Sequence, residues 1–339
     1  MSDFKAIILA GGSGERFWPL STPEKPKQFL RVFGGESLIR QSVGRLKGLV
    51  KPKNVFVITS KELVAATRKE LPEIPKANIV GEPMRRDTGA AIALGVGIAS
   101  VSVRKRRIVN GSKGPNDPIL GFFSSDQMIA DPVRFRKAVS AAIAKAKRTD
   151  SIVTIGIKPE YPATGFGYVN PKTGQFVEKP DAKKAKAYLK KGFLWNAGMF
   201  IARASVFADA ISTCAGGLKG LMGLRSLKGL EKVYADLPKI SFDYAVMEKL
   251  KNVEVVKGDF GWDDVGSYAA FDKHFKRGKD GNIVLGDVKA VETVGCTAVA
   301  KGAKIALLGV EDLVVVTTKD AVLVVAKDKV AELKKLFAK

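Results

Sequence analysis

Lys5-Ala6-Ile7-Ile8-Leu9 is a short apolar run, and Ala10-Gly11-Gly12-Ser13-Gly14-Glu15-Arg16 follows it at once. The first part reads as a buried strand. The glycines let backbone N–H groups come close to a polyphosphate, and Arg16 adds a fixed guanidinium fork. A glycine turn after a first strand is also how a dinucleotide fold begins. Two features exclude that here. The third fingerprint glycine is missing, because Phe17 stands in its place. Pro19, Pro23 and Pro26 also prevent a long helix from starting at the loop. An anion must therefore be held by loop amides and by side chains, chiefly Arg16 and Lys27. The Lys-Ser/Thr ending of a Walker loop is absent as well.

Strands and helices alternate outward from this loop. Strands are expected at Asn54 to Thr59, Ile79-Val80, Ile119 to Phe123 and Ser151 to Ile157. Helices are expected at Ser37 to Leu49, Lys61 to Leu71 and Thr88 to Ser100, and one opens at Asp131-Pro132, an N-cap followed by a proline in the first turn. Such alternation predicts an α/β fold with a mostly parallel sheet covered on both faces. Thr164 to Lys179 reads as short strands with glycine turns. Asp181 to Lys191 reads as an amphipathic helix, Asn196 to Ile201 as a strand and Phe242 to Leu250 as a helix. Lys273 to Gly281 is a plausible linker. Beyond it come Ile283 to Leu285, Thr297 to Val299, Ile305 to Leu308, Leu313 to Val316 and Val322 to Val325, which predict a small all-β appendage. Lys327 to Lys339 should close the chain as a helix, with Val330, Leu333, Leu336 and Phe337 on one side.

Composition excludes several classes. No apolar run approaches the roughly 20 residues that span a bilayer, so no membrane partner is expected. The N-terminus lacks the basic start and cleavage site of a secretory signal. Cys214 and Cys296 lie far apart without metal-ligand spacing, which fits a reduced cytoplasm. A lone histidine, His274, argues against a His-based triad or a zinc site. The net charge of +23 and the run Arg104-Lys105-Arg106-Arg107 raise the question of nucleic acid. No zinc finger, RNP-type aromatic motif or KH loop accompanies the charge. It is read as a solvated lysine-rich surface with some attraction for phosphorylated small molecules, and no nucleic-acid partner is expected.

The longer stretch Leu9 to Leu30, with Phe17-Trp18-Pro19-Leu20 and Pro26-Lys27-Gln28-Phe29-Leu30 inside it, resembles the signature of sugar nucleotidyltransferases. It is most similar to that of mannose-1-phosphate guanylyltransferases. Further matches follow in order: Glu82-Pro83-Met84-Arg85-Arg86, Phe176 to Pro180, Trp195 to Phe200, Ile240 to Lys249 and Gly261 to Ser267. Two positions depart from the family pattern. Gln127 follows Asp126 where the family usually has Asp-His, and Asp87-Thr88-Gly89-Ala90 stands where it has Asn-Thr-Ala-Pro.

The resemblance implies a Rossmann-like nucleotidyltransferase domain over 1–275. A small β-helix-like domain with a closing helix is implied over 282–339, without the isomerase domain fused to some relatives. The implied reaction transfers GMP from GTP to α-D-mannose 1-phosphate, giving GDP-mannose and pyrophosphate. The sugar phosphate attacks the α-phosphorus in line, so the protein must neutralise and align two anions, and it needs no side-chain nucleophile. Arg16 and Lys27 would act on the triphosphate and the leaving pyrophosphate. Leu9, Ala10, Gly11, Gly12, Gly14, Glu82, Pro83, Arg86 and Thr88 would line the nucleotide. Gly167, Glu178, Lys179, Asn196 and Asp243 would hold the sugar phosphate, with Asp243 acting behind its neighbours. Asp126 and Asp264 would bind Mg²⁺, and Asp263 is not assigned to it. A homodimer is implied, with packing of the tail on its own catalytic domain as the alternative use of its apolar edges. Glu82 is expected to read guanine, because a carboxylate accepts from both N1–H and the exocyclic amine. The competing reading is a surface carboxylate paired with Arg85 or Arg86. Other readings of the chain are a transferase for glucose 1-phosphate with UTP or dTTP, and a non-catalytic sugar-nucleotide-binding regulator.

Overall fold

The computed structural model describes residues 4–12, 14–101, 117–224 and 226–337. Ser13 and the basic run Arg104 to Arg107 lie outside the described residues. The chain divides into two compact units. The larger comprises residues 1–11, 42–125 and 129–262; the smaller comprises 12–41, 126–128 and 263–339.

The larger unit is built on a sheet whose main path has seven strands: β1 Phe4–Ala10, β2 Val55–Ser60, β3 Ile79–Glu82, β4 Ile119–Ser124, β5 Val153–Ile157, β6 Leu194–Arg203 and β7 Glu254–Gly258. Their order is β7-β5-β6-β4-β1-β2-β3. β1 is parallel to both β2 and β4, with Ile8 opposite Val57 and Phe123. On this path only β6 runs antiparallel to its two neighbours, β4 and β5. The sheet is thus mixed and mostly parallel, as the alternating pattern predicts.

Helices fix its two faces. Asp87–Val101 is nearly all small or aliphatic, and Ala90, Ile92, Ala93 and Leu94 share a core with Ile7, Ile58 and Phe122. Pro132–Arg148 buries Phe135, Val139, Ala142 and Ile143, and Asp131 caps it by accepting from the Val133 and Arg134 amides at 2.9 Å each. Gly89 explains one departure from the family pattern. A Cβ there would meet the Ile240 carbonyl oxygen at 2.6 Å, and the Gly89 amide donates to that same oxygen at 3.1 Å. The helix therefore docks through bare backbone at its first turn.

The smaller unit joins the segment after the glycine loop to the tail. The tail's strands Ile283–Leu285, Thr297–Ala300 and Leu313–Thr317 stack in parallel, and Val322–Ala326 returns antiparallel to the last of them. A second parallel pair, Val288–Val291 with Ile305–Leu308, makes the other wall of this β-helix-like turn. Ile283, Val299, Val314, Val316 and Leu323 form one core with Phe17, Leu30, Phe33, Leu38, Val265, Tyr268 and Phe271. The inner face of the tail is thereby used within the chain.

Several elements differ from the sequence reading. The helix expected over Ser37 to Leu49 covers only Leu38–Gly44, and Gly48 beyond it takes a left-handed φ of 91°. Phe242 to Leu250 splits into Phe242–Ala245 and a 3-10 turn, Met247–Lys249, with Val246 between them outside the helical region at φ −126° and ψ −60°. The expected linker begins as helix, Phe271–His274. The closing segment is a 3-10 helix, Lys327–Phe337. It buries Val330 and Leu333, while Leu336, one turn further along the same face and near the end of the segment, is largely exposed.

Phe33 sits at the centre of the smaller unit's core, with its ring 5.2 Å from Phe271 and 6.2 Å from Phe17. Phe33→Ala should cost about 3–5 kcal/mol of stability. Urea unfolding followed by the fluorescence of the nearby tryptophan, Trp18, is the measurement. A midpoint unchanged from the parent would mean that this core does not hold the unit together.

Candidate active site

The glycine loop begins where β1 ends. The Thr59 hydroxyl donates to the Ala10 carbonyl at 3.0 Å, and the Ser125 amide donates to the Leu9 carbonyl at 3.1 Å, so the strand end is fixed on both sides. No described heavy atom lies within 4 Å of where a Cβ on Gly12 would sit, so its backbone is open to a ligand. Gly14 is different. Its φ is 67°, and a Cβ there would fall 2.5 Å from the Lys27 Cβ. Only glycine lets the loop close on Lys27. A 3-10 turn over Glu15–Phe17 then takes the place of the long helix that the prolines forbid.

Lys27 is 7 % exposed. Its Nζ lies 3.0 Å from Asp126 Oδ2 and donates to the Asp264 carbonyl at 2.7 Å. Burial pushes the Asp264 carboxyl above its usual range. Asp126 and Asp263 push the same way, and Lys27 and Arg16 oppose them. A Cβ on Gly266 would lie 3.5 Å from Arg16 Nη1 and 3.6 Å from Asp264 Oδ2. The smaller unit thus brings Gly14, Arg16, Lys27, Asp126 and Asp264 together. Asp263 faces elsewhere: Oδ1 accepts from the Val265 amide at 2.6 Å, and Oδ2 lies 3.3 Å from His274 Nε2.

In the larger unit, Glu82 is the last residue of β3 and is buried. It is not a surface carboxylate paired with Arg85 or Arg86. Its Oε1 accepts from the Tyr234 hydroxyl at 3.0 Å, and its Oε2 lies 3.4 Å from where a Gly11 Cβ would be. Burial raises the Glu82 carboxyl to about 7, Asp87 pushing the same way and the Tyr234 bond opposing. Arg86 donates instead to the carbonyls of Tyr234 and Ala235, at 2.8 and 2.6 Å. Thr88 accepts the Phe242 amide on its hydroxyl at 2.9 Å.

A second cluster in the same unit surrounds Lys179, whose φ is 43°. Its Nζ lies 3.0 Å from Glu178 Oε1. Partial burial works against the ammonium, but Glu178 and the charge of Asp243 hold its pKa above the ordinary lysine value. Asn196 Nδ2 donates to Asp243 Oδ1 at 2.9 Å, and Asn196 Oδ1 accepts from the Thr154 hydroxyl at 2.8 Å. Burial and then the Glu178 charge push Asp243 up to about 7. A Cβ on Gly167 would fall 2.5 Å from Glu178 Oε2, so the glycine makes room for that carboxylate. All five residues expected at the sugar phosphate therefore lie in one network. Glu248, which accepts the Glu178 amide at 2.6 Å, and Tyr234 belong to these networks and were not singled out from sequence. Tyr234 is 152 residues from Glu82, and no local spacing signals the pair.

The fold and the glycine loop are those of nucleotidyl transferases: residues 5–278 match the family model described as Nucleotidyl transferase. Residues 286–339 match one described as MannoseP isomerase/GMP-like beta-helix domain. A mannose-1-phosphate guanylyltransferase of Klebsiella pneumoniae is 33 % identical over 97 % of this chain and 72 % of its own length. The xanthan biosynthesis protein XanB of Xanthomonas campestris pv. campestris is 34 % identical over 100 % of this chain and 73 % of its own. A solved structure from Thermus thermophilus, described as a mannose-1-phosphate geranyltransferase, superposes with a TM-score of 0.86 at 34 % identity, covering 99 % of this chain and 98 % of that one. The chain belongs to the mannose-1-phosphate guanylyltransferase family.

The raised Glu82 carboxyl has a consequence for stability. A carboxyl whose folded pKa is raised contributes stability that is full below its unfolded value, near 4.5, and is lost as pH climbs through about 7. Glu82→Gln keeps an acceptor for Tyr234 and removes that loss. The ligand-free variant should match the parent near pH 4.5 and exceed it by on the order of 2–3 kcal/mol at pH 8. Urea unfolding at the two pH values measures this. An equal difference at both would show that Glu82 ionises freely in the folded protein.

Proposed function

We propose that the protein transfers GMP from GTP to α-D-mannose 1-phosphate, releasing pyrophosphate. The observation that supports this most is Lys27, a buried ammonium held against one carboxylate and one carbonyl beside the open glycine loop. A cation kept in a low-dielectric place is suited to an accumulating phosphate charge. In the proposed reaction Arg16 and Lys27 neutralise the triphosphate and then the departing pyrophosphate. Loop amides of Gly11, Gly12 and Gly14 take phosphate oxygens, with Leu9 and Ala10 as the floor of the loop. Glu82 accepts from the guanine edge, with Pro83, Arg86 and Thr88 framing that segment. Lys179 pairs with the sugar phosphate, releasing Glu178 to accept from a sugar hydroxyl. Asn196, fixed by Thr154, and Gly167 present the sugar-facing polar groups, and Asp243 orients Asn196. No proton transfer is needed at the attacking oxygen, so networks of lysine, arginine and carboxylate suffice.

Mg²⁺ is the proposed cofactor. Among the described residues no group of three or more acidic, His or Cys side chains could hold a metal ion. A Mg²⁺ ion usually takes one or two carboxylates and completes its shell with substrate phosphates and water. Asp126 and Asp264, two oxygen donors in electrostatic contact with each other and with Lys27, suit that kind of site. When bound there the ion would supply charge neutralisation on the phosphates. We also propose the division of labour outlined from sequence, catalysis in 1–275 and a structural role for 282–339. No described helix is long and apolar enough to cross a membrane, and both cysteines are free. A cytoplasmic location fits these features. A homodimer is proposed from the exposed apolar outer face of the tail, where Val322, Val324 and Leu308 point outward. Nucleic acid is not among the proposed partners.

Pyrophosphate release with Mg²⁺ and a matrix of four nucleoside triphosphates against several sugar 1-phosphates tests the reading. GTP with mannose 1-phosphate should be the preferred pair. Release only with UTP or dTTP and glucose 1-phosphate would reassign the substrates, and no release with any pair would remove the catalytic reading.

Asp126→Asn and Asp264→Asn should each fold and lose at least about 100-fold in turnover, as removal of a charge-stabilising group commonly does. Each should also need more Mg²⁺ for half-maximal rate. Near-parental turnover and an unchanged Mg²⁺ requirement would take that residue out of the metal site.

A further inference from the structure

Glu82 and Arg86 both reach the same distant residue. The Tyr234 hydroxyl donates to Glu82 Oε1 at 3.0 Å, and the Tyr234 carbonyl accepts from Arg86 Nε at 2.8 Å. Arg86 Nη2 takes the next carbonyl, that of Ala235, at 2.6 Å. Tyr234 lies in the short helix Leu230–Ala235 and is fully buried. The segment that leaves β3 is thus tied to one tyrosine twice, once at its side chain and once at its main chain. The other Glu82 oxygen, Oε2, is the one beside Gly11.

We propose that Tyr234 is a positioning residue for base selection, one that fixes the plane of the Glu82 carboxylate so that it accepts from a purine carrying both N1–H and a 2-amino group. The inference rests on the reading of Glu82 as the guanine-reading residue.

The physical argument has three parts. The terminal torsion of a glutamate is broad, so a carboxylate with no anchor does not hold one plane. A donor on Oε1 removes that freedom, and Oε1 keeps a second lone pair while Oε2 keeps both of its own. Two adjacent acceptor sites in a fixed plane match two adjacent N–H groups. They also penalise adenine, which presents an unprotonated N1 toward the same place and would leave a buried acceptor without a donor. The hydroxyl bond has a second effect. It opposes the push of burial on Glu82, and so favours the ionised, acceptor-only form over a protonated carboxyl that would aim its own O–H at the base. Arg86 matters because it holds the tyrosine main chain in place. Without that clamp the hydroxyl has no fixed position to donate from.

The test compares Tyr234→Phe and Glu82→Gln with the parent. The readout is kcat/KM for GTP, ITP and ATP at saturating mannose 1-phosphate, together with the KM for mannose 1-phosphate and the thermal midpoint. Tyr234→Phe should lower the GTP:ATP preference and the GTP:ITP preference about 10-fold each, the scale of one well-placed hydrogen bond. Its KM for mannose 1-phosphate should stay within about 2-fold, a margin worth only a few tenths of a kcal/mol. Glu82→Gln should lower the same preferences by roughly 30- to 150-fold, as expected for a charge-assisted pair. A purely structural tyrosine would lower the midpoint and all three nucleotide rates together, leaving the ratios fixed. Unchanged ratios in Tyr234→Phe alongside collapsed ratios in Glu82→Gln would overturn the inference and leave the Glu82 reading standing. Unchanged ratios in both would overturn the Glu82 reading itself. If Tyr234→Phe does not fold, Arg86→Lys takes its place. It keeps the positive charge but gives up the two-carbonyl clamp, and it should lower the GTP:ATP ratio; an unchanged ratio there would also overturn the proposal.

Discussion

The Phe17 side chain, packed among Phe33, Tyr268 and Phe271, is the contact on which the phosphate loop depends. Three prolines deny the loop the helix that braces a glycine turn in dinucleotide folds. Something else must fix its course, and here it is an aromatic core. Phe17 is fully buried, and the Tyr268 hydroxyl donates to its carbonyl at 2.9 Å. With Phe17 held, the preceding Gly14 closes on Lys27, and Lys27 meets Asp126 and the Asp264 carbonyl. Backbone flexibility at the glycines is thus bounded on one side by a rigid hydrophobic anchor. The course of the loop is organised by packing, with a three-residue 3-10 turn, Glu15–Phe17, where a dinucleotide fold has a long helix.

Electrostatics divides the candidate residues into two kinds. Lys27 and Lys179 are cations with carboxylate partners already in place. Glu82 and Asp243 are carboxyls raised to about 7 by burial, with hydrogen bonds from Tyr234 and from Asn196 respectively. Charged groups of both signs are therefore partly removed from water before any substrate arrives. Local backbone strain sits beside them. Asp87, Lys179 and Val265 take φ values of 64°, 43° and 49° without being glycine. Each is next to or among the residues assigned to substrate or metal, and strained non-glycine positions persist where surrounding contacts over-determine them. For Val265 the determining contact is plain, since Asp263 holds its amide.

Much of this was legible in the chain itself. Buried parallel strands are continuous apolar runs, so β1, β2 and β4 could be placed to within a residue or two. Asp131-Pro132 marked a helix start because capping chemistry is local. The site residues were read through resemblance; within the larger unit Glu82 and Lys179 each sit in a hydrogen-bonded network, and within the smaller unit Lys27 meets Asp126 and Asp264. What escaped was non-local. The strand Val288–Val291 has an exposed, lysine-bearing face and no alternation to reveal it. The break at Val246 is a single residue leaving the helical region, which no window of helix propensity registers. Tyr234 lies outside every quoted motif, and Glu248, although inside the Ile240 to Lys249 match, carries no spacing that points to Glu178. Their roles arise only when distant segments meet, and hydrogen bonds between residues 70 or 152 positions apart leave no periodic trace.

The core around Phe17 draws on residues at both extremes of the sequence, with Tyr268 standing 251 positions from the carbonyl it bonds. On a ribosome, where chains emerge N-terminus first, this ordering has a cost in time. The glycine loop is made well before its hydrophobic anchors at 265–271 and the tail strands out to Leu323. Until they appear, Phe17 and Phe33 have only each other and neighbours such as Leu30 and Leu38 to pack against, and they remain partly exposed apolar surface on a nascent chain. Contacts of such long separation are also slow to form once the chain is free. The glycine loop therefore takes its final course only after the tail has been made, and a chain cut short before the tail lacks the hydrophobic anchors that hold it.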